Sequence, residues 1–406
     1  MPTNPAEALE PSERPAPAIR VSGASGLVTS VPYLLGFEPR DSLVAVFTRR
    51  TGGRVVLCLR VDAPATGRID TNGDDGGSES GDLDGGSADL RAEIGQAVRR
   101  ALAAGARLDV AHLVVFSDRA REFPFRDAAI GIRRELQDSG IELGEWLAAS
   151  GDRWWHYLCR RDDCCPAAGR FLDDSDGTRA AFDLVTAGIG FAASREELAG
   201  RLDSDPMDLL PVEAMARACA ESVLHSVSRR GAVRWRRARE DELVDLATAG
   251  NPLLDAAGDP PTEQEEDLRA ARWAVALQDP RVREPLLHRL LFSGPIDGRA
   301  ARLQSARAIL TDLVRRTPCP EVAAVASTLA AVAWQQGDGA FARFAAERAL
   351  AADTGNVLAG LIRHSAGSGL PPSQWLEVLA SYTPAMLRGT RPIPESLGGS
   401  RLPRAG

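Results

Sequence analysis

The sequence predicts an α/β domain, a mixed and partly parallel sheet with helices, followed by an all-α helical domain. Three observations predict it. Short β-branched and aromatic runs alternate with segments of helical spacing over the first half of the chain, the pattern of a layered α/β fold. Beyond Pro211 every apolar pattern has helical spacing and no strand run intervenes. At 406 residues, 44% hydrophobic and 26% charged, the chain is long enough for two or three domains with real cores.

Residues 1–18 hold five Pro and no apolar run, so a disordered leader is expected and not a signal peptide. The α/β domain is expected over residues 19–210. Ser22 followed by GASGLVTSVPYLLG reads as an N-capped helix, kinked at Pro32 and stopped at Gly36. Residues 42–48 and 54–61 read as two strands of a hairpin. Both are apolar almost throughout, which predicts a sheet covered on both faces. Residues 66–89 carry seven acidic side chains after Arg68 and no base; a disordered insertion is expected, without the ligand spacing of a calcium loop. A helix follows over 90–104, a strand over 110–116, a helix over 125–139 and a short strand over 141–147.

The stretch 151–169, GDRWWHYLCRRDDCCPAAG, gathers two Trp, one of the five His and three of the six Cys. Trp154 to Cys159 reads as a strand, with Trp154, His156 and Leu158 on one face and Trp155, Tyr157 and Cys159 on the other. That parity separates His156 from Cys159 as metal partners. A polar turn then leads to Cys164-Cys165, and Pro166 ends any continuation. A zinc ribbon needs a second Cys or His cluster further along, which the sequence lacks, and adjacent Cys164 and Cys165 are expected to project awkwardly for joint ligation. Structural thiols beside the Trp strand are the reading taken for Cys159, Cys164 and Cys165, with a redox-active Cys159 and Cys164 pair or a zinc site as alternatives. No metal is assigned and no cofactor is expected.

Gly188-x-Gly190-x-x-Ala193 is a loose dinucleotide fingerprint, but Ser194-x-x-Glu197 is a capping box. The next helix therefore starts beyond the glycines, and a pyrophosphate would miss its N-terminus. The all-α domain is expected over residues 211–387, with helices at 212–228, 240–249, 262–278, 282–292, 298–316, 320–336, 339–352, 355–364 and 372–379, and a disordered tail at 388–406. Between the first two, RRGAVRWRRAR from Arg229 supplies six Arg and Trp235, but an acidic run follows at once; a solvated, salt-bridged helix is the reading taken, with a nucleic-acid contact as the alternative.

The formal charge of -8 argues against a nucleic-acid partner or anionic membrane for the whole surface. All 48 basic residues are Arg, which excludes Schiff-base chemistry, a lysine base and a P-loop lysine. The apolar run at 322–334 is too short to span a bilayer. A cytoplasmic location is expected, where thiols stay reduced.

Ligand sites in such sheets sit at strand C-terminal ends. This singles out Arg60 and Asp62 after the second strand and Asp118 after the third; with His156 of the Trp strand they form the candidate ligand-binding set. No Gly-x-Ser-x-Gly elbow, His-Glu-x-x-His motif or Walker loop occurs. The reading taken is a non-catalytic module that binds a protein partner or small ligand. The alternative is an enzyme with a site at the strand ends near Asp62, Asp118 and His156. A protein partner is expected on the C-terminal helices, where Gly337-Asp338, Ala342, Ala349-Leu350 and Asp353 have the spacing of half a tetratricopeptide repeat. That surface requires the Ala-rich face around Phe341, Phe344 and Ala345 to be partly uncovered; if it is covered, the pair is a hairpin closing the α domain.

Several separate pieces match one pattern. They are VPYLLGFEPRDSLV from Val31, LRVD from Leu59, the Trp-x-x-Tyr-x-Cys and Cys-Cys-Pro-x-x-Gly of the central stretch, SREEL from Ser194, AWQQGDG from Ala333 and ALAAD from Ala349. Together they resemble the actinobacterial domain-of-unknown-function family 4192, over about residues 19–379. The resemblance implies a shared fold and carries over no activity or site residue, since the family has none established. Two departures are visible: the acidic insertion is long for that pattern, and Thr354 stands where it often has Pro.

Overall fold

The computed structural model describes residues 21–62, 83–103, 105–186, 189–249, 261–295, 298–367 and 370–389. The expected leader, residues 66–82 of the acidic insertion, Gly188 of the glycine fingerprint and the tail beyond 389 lie outside the described residues.

Six strands form one sheet in the order β2-β1-β3-β4-β5-β6: β1 Ser42–Thr48, β2 Val55–Asp62, β3 Val110–Phe116, β4 Glu142–Ser150, β5 Arg153–His156 and β6 Arg170–Phe171. The fifteen described helices are α1 Gly23–Leu35, α2 Leu83–Ala103, α3 Arg126–Asp138, α4 Ser175–Thr186, α5 Arg195–Gly200, α6 Val212–Ser226, α7 Arg229–Ala249, α8 Glu263–Ala276, α9 Pro280–Phe292, α10 Arg299–Arg316, α11 Val322–Gln335, α12 Gly339–Ala352, α13 Val357–Gly367, α14 Pro372–Ala380 and α15 Pro384–Leu387. Among the described strands only β3 and β4 pair in parallel, and α3 is their crossover; the remaining strand neighbours are antiparallel. The predicted fold class, a mixed sheet with helices and then a helical region, is the one found.

Register explains the apolar runs. Val44 and Val46 of β1, Val114 of β3, Leu147 and Ala149 of β4 and Trp154 of β5 face one core. Leu43, Ala45, Phe47, Leu113, Val115, Ala148 and Trp155 face the other, closed by Leu90, Ile94 and Val98 of α2 and Ile132 and Leu136 of α3. So β1 is buried on both faces. β2 departs from that expectation: as an edge strand it keeps much of its length half-exposed. The first core does not stop at the sheet. It runs through Val31 and Leu35 of α1 into the helical half, reaching Trp334 of α11 and Ile362 of α13.

Local chemistry sets several boundaries differently from the sequence reading. α2 begins at Leu83, not at residue 90, so part of the expected disordered insertion is helical. α4 was not anticipated. Its signal is Asp174, whose carboxylate accepts from the backbone N–H of Asp176 and Gly177 at 3.1 and 2.9 Å, an N-cap. Gly177 also has to be Gly, because a Cβ there would sit 1.7 Å from the Leu172 carbonyl oxygen. Ser22 precedes α1 as expected, but its hydroxyl donates to Asp176 instead of capping. The Arg-rich run, expected as a solvated, salt-bridged helix, is helical: it forms the first half of α7, with Arg236, Arg237 and Arg239 in ion pairs.

The described end of the glycine fingerprint runs beside the turn that follows α1. The Ala192 N–H donates to the Gly36 carbonyl and its carbonyl accepts from Glu38, each at 2.9 Å. Ser194 then caps α5 by accepting from Glu197 N–H at 3.1 Å. In the helical half every residue of α11 from Val322 to Trp334 is buried. Phe341, Ala342, Ala345, Ala346 and Ala349 of α12 are buried with it. The Ala-rich face is therefore covered, and Phe344 lies half-buried beneath the Arg195 guanidinium. α11 and α12 pack as a hairpin whose Ala-rich face is buried except at the half-buried Phe344.

Candidate thiol centre

The site is built by a strand that ends early. Gly151 at φ 54 turns β4 into β5, and β5 ends at His156, short of the Cys159 expected from the sequence. Leu158 takes φ 63, a conformation costly for a branched side chain, and the Cys159 N–H donates back to the His156 carbonyl at 3.1 Å. The parity within the strand holds: Trp154 enters one core while Trp155 and Tyr157 enter the other. It fails at Leu158, which packs with Trp155 and Tyr157 and not on the Trp154 side.

A tight turn then returns the chain. The N–H groups of Cys164 and Cys165 both point to the Arg161 carbonyl, at 3.3 and 2.7 Å. Adjacent cysteines in a turn are free of strand alternation, and the sulfurs of Cys159, Cys164 and Cys165 all lie within 4.8 Å of one another. This corrects the expectation that Cys164 and Cys165 project apart. The Cys159 and Cys164 sulfurs are 3.0 Å apart. Cys165 is fully buried and accepts from the His156 N–H at 3.3 Å.

The loop is fixed from several sides. Arg121, from the short turn after β3, donates to the Cys159 carbonyl at 3.1 Å, and Arg170 of β6 donates to the Cys164 carbonyl at 2.7 Å. The Trp155 indole N–H donates to the Pro166 carbonyl at 3.2 Å. The Tyr157 hydroxyl donates to the Pro124 carbonyl, and its ring packs on Trp146 at 4.9 Å. Neither Arg121 nor Arg170 is among the sequence-predicted site residues. Arg121 lies 38 residues from Cys159, and only the β3 to β4 crossover brings them together.

The two close thiols differ electrically. The Cys164 S–H donating to it, the Arg161 backbone N–H and Cys165 together hold the Cys159 thiol below its ordinary range. The same contact with Cys159, together with burial, pushes Cys164 up to about 12. Hydrogen bonds to a thiolate favour it, and the donor keeps its proton. Cys159 is half-buried and so reachable.

The strand-end residues are arranged separately. Arg60 pairs with Asp62 at 2.5 Å, Arg195 approaches the other Asp62 oxygen at 3.7 Å, and Arg60 also lies over the Phe37 ring. Asp118 is exposed at the same end of the sheet, next to Ser117, whose hydroxyl donates to Asp41 at 3.0 Å. Register links that end, since Asp62 pairs with Ser42 and Ser42 with Phe116. His156 stands apart on β5, four strands from β2, about 19 Å at the usual spacing. Its neighbours are Glu145, at 3.8 Å, and the Trp154 ring. No described helix is long and apolar enough to cross a membrane.

Comparison with curated proteins and with solved structures finds no match. A family model described as domain of unknown function (DUF4192) matches residues 25–373, from α1 through the thiol centre to the start of α14, and the chain belongs to that family.

Proposed function

We propose that the protein is a cytoplasmic thiol module that engages a protein or small-molecule disulfide through Cys159, with Cys164 as the resolving partner. The observation that carries this reading is the 3.0 Å approach of the two sulfurs, with Cys159 biased to the thiolate and Cys164 to the protonated thiol. A low-pKa, reachable cysteine beside a second thiol is the usual arrangement of a redox sensor. The steps balance without a further reactant. The Cys159 thiolate attacks one sulfur of the disulfide, forms a mixed disulfide and expels one thiolate. Cys164 passes its proton to that leaving thiolate and attacks the Cys159 sulfur, releasing the second group as a thiolate that takes its proton from water. The protein gains a Cys159–Cys164 disulfide, and the substrate takes up two electrons and one proton from the protein and one proton from solvent.

The full-length chain treated with bis(2-hydroxyethyl) disulfide should lose two hydrogens by intact mass, and Cys164→Ser should accumulate the mixed disulfide on Cys159 by peptide mapping. An adduct confined to the exposed Cys219 and Cys319 would sink the reading.

A second reading rests on Cys165. Three sulfurs within 4.8 Å suit a thiophilic ion such as zinc, which would take three thiolates and keep a fourth position for solvent or ligand. Stoichiometric zinc after dialysis, together with failure of the dithiol to oxidise, favours this reading over the first.

A further inference from the structure

α6 carries an apolar stripe that nothing described covers. Val212, Ala216, Cys219, Ala220, Val223, Leu224 and Val227 fall at helical spacing on its outer side and are exposed, Leu224 by 70% and Val227 by 83%. The inner side of the helix packs through Met215 and Ala218. Exposed aliphatics at this density on one helix mark an interaction site.

The stripe runs into a cationic corner. Residues 222–239 contain six Arg and no acid. Arg236, Arg237 and Arg239 are paired with Asp279, Asp241 and Glu242. Arg229, Arg230 and Arg234 are exposed and make no ion pair among the described residues. The corner is sharp and fixed: Ser228 accepts from the Gly231 N–H at 3.0 Å, and a Cβ on Gly231 would stand 2.6 Å from the His225 carbonyl oxygen. Only Gly lets α6 and α7 meet so closely. The corner thus presents aliphatic side chains and unneutralised guanidiniums together.

We infer that the α6–α7 corner docks an acidic amphipathic segment of a protein partner, its apolar side chains on Val223, Leu224 and Val227 and its carboxylates on Arg229, Arg230 and Arg234. Charge complementarity selects this occupant. Arg is the side chain suited to carboxylates in a planar, paired fashion, and helix-in-groove partners are recognised by such mixed faces. Nucleic acid fits less well, because the aromatic ring of this segment, Trp235, is buried and unavailable for stacking on bases. A bilayer fits less well too, because the exposed stripe has no Trp or Tyr to anchor at the interface. The inference does not depend on the thiol centre.

The test uses the full chain and a fluorescent 20-residue peptide with Glu on one helical face and Leu on the other. Anisotropy should report saturable binding that weakens as salt rises. Leu224→Ser with Val227→Ser, and separately Arg230→Glu with Arg234→Glu, should each weaken it at least about tenfold, with unchanged melting temperatures because all four residues are exposed. The inference is overturned if the peptide fails to bind or binds both variants like the wild type. It is equally overturned if duplex DNA or phosphatidylglycerol vesicles bind the corner more tightly than the peptide, or if sedimentation shows the wild type dimerising through it.

Discussion

The Trp155 indole occupies the place where a side chain on residue 169 would begin: a Cβ on Gly169 would stand 2.6 Å from its ring. Gly169 also holds φ at 75, a conformation that disfavours any L side chain. Gly169→Ala therefore meets both a strained backbone, about 1 kcal/mol, and an overpacked neighbour, about 1 to 3 kcal/mol. Urea unfolding should show a loss of about 2 to 4 kcal/mol in total, with the near-UV circular dichroism of Trp155 altered. An unchanged midpoint would mean the indole moves aside freely and does not hold the thiol loop.

The contact between Cys164 and Cys159 sets which thiol reacts. Removing the donor with Cys164→Ala takes away the main influence that lowers Cys159, so the Cys159 titration midpoint should move upward. Cys164→Ser keeps a hydroxyl donor and should move it less. The rate of iodoacetamide alkylation at Cys159, followed by peptide mass spectrometry across pH, reads the midpoint directly. Identical profiles for wild type and Cys164→Ala would show that the pair is not coupled.

Strands and most helices were legible because periodicity and burial are the same fact seen twice. The 110–116 run and the 42–48 run read as strands and are β3 and β1, each threaded between two cores. What escaped the sequence depends on geometry that no local pattern encodes. Leu158 takes a positive φ, which a Leu does not announce, and that one residue ends β5 and swings Cys159 back toward Cys164. α4 escaped because Asp174 and Gly177 read equally well as a turn. The Arg run read as a fully solvated helix because its charges hide the apolar side of α7, where Trp235 is buried. His156 and Asp62 were joined as candidates by strand chemistry, but strand order decides their separation.

Glu240 is 1% exposed and takes Arg289 on one oxygen at 3.0 Å and Arg388 through its Nε at 2.7 Å. Arg388 follows α15, so this carboxylate ties the end of the described chain to the middle of α7. Glu240→Ala would leave two guanidiniums facing each other with less compensation. Breaking a buried pair from one side costs about 3 to 5 kcal/mol, and chemical denaturation should show a loss in that range. Arg388→Ala should cost clearly less, because Arg289 still neutralises Glu240 and also reaches Asp241. Equal losses for the two variants would contradict this ordering.

Two histidines, His288 buried and His112 half-buried, predict the response to acid. Burial is the main cause holding both His112 and His288 below the ordinary imidazole range. Each is fitted as a neutral ring. His112 Nδ1 accepts from the Glu145 N–H at 3.0 Å. His288 Nε2 lies 2.7 Å from the Tyr382 carbonyl, to which it donates. Because the folded pKa lies below the unfolded one, the unfolded chain binds more protons between them, so stability is full above about pH 6.5 and falls as the pH drops below it. Melting temperature should therefore decline from about pH 6.5 downward, before the carboxylates titrate. His112→Asn keeps an acceptor near the Glu145 N–H, and His288→Gln keeps a donor near the Tyr382 carbonyl, while neither can be protonated. The double variant should show a flatter profile between about pH 5 and 6.5 than the wild type. Parallel profiles would mean that both rings accept a proton in the folded state, and would remove the structural basis assigned to them.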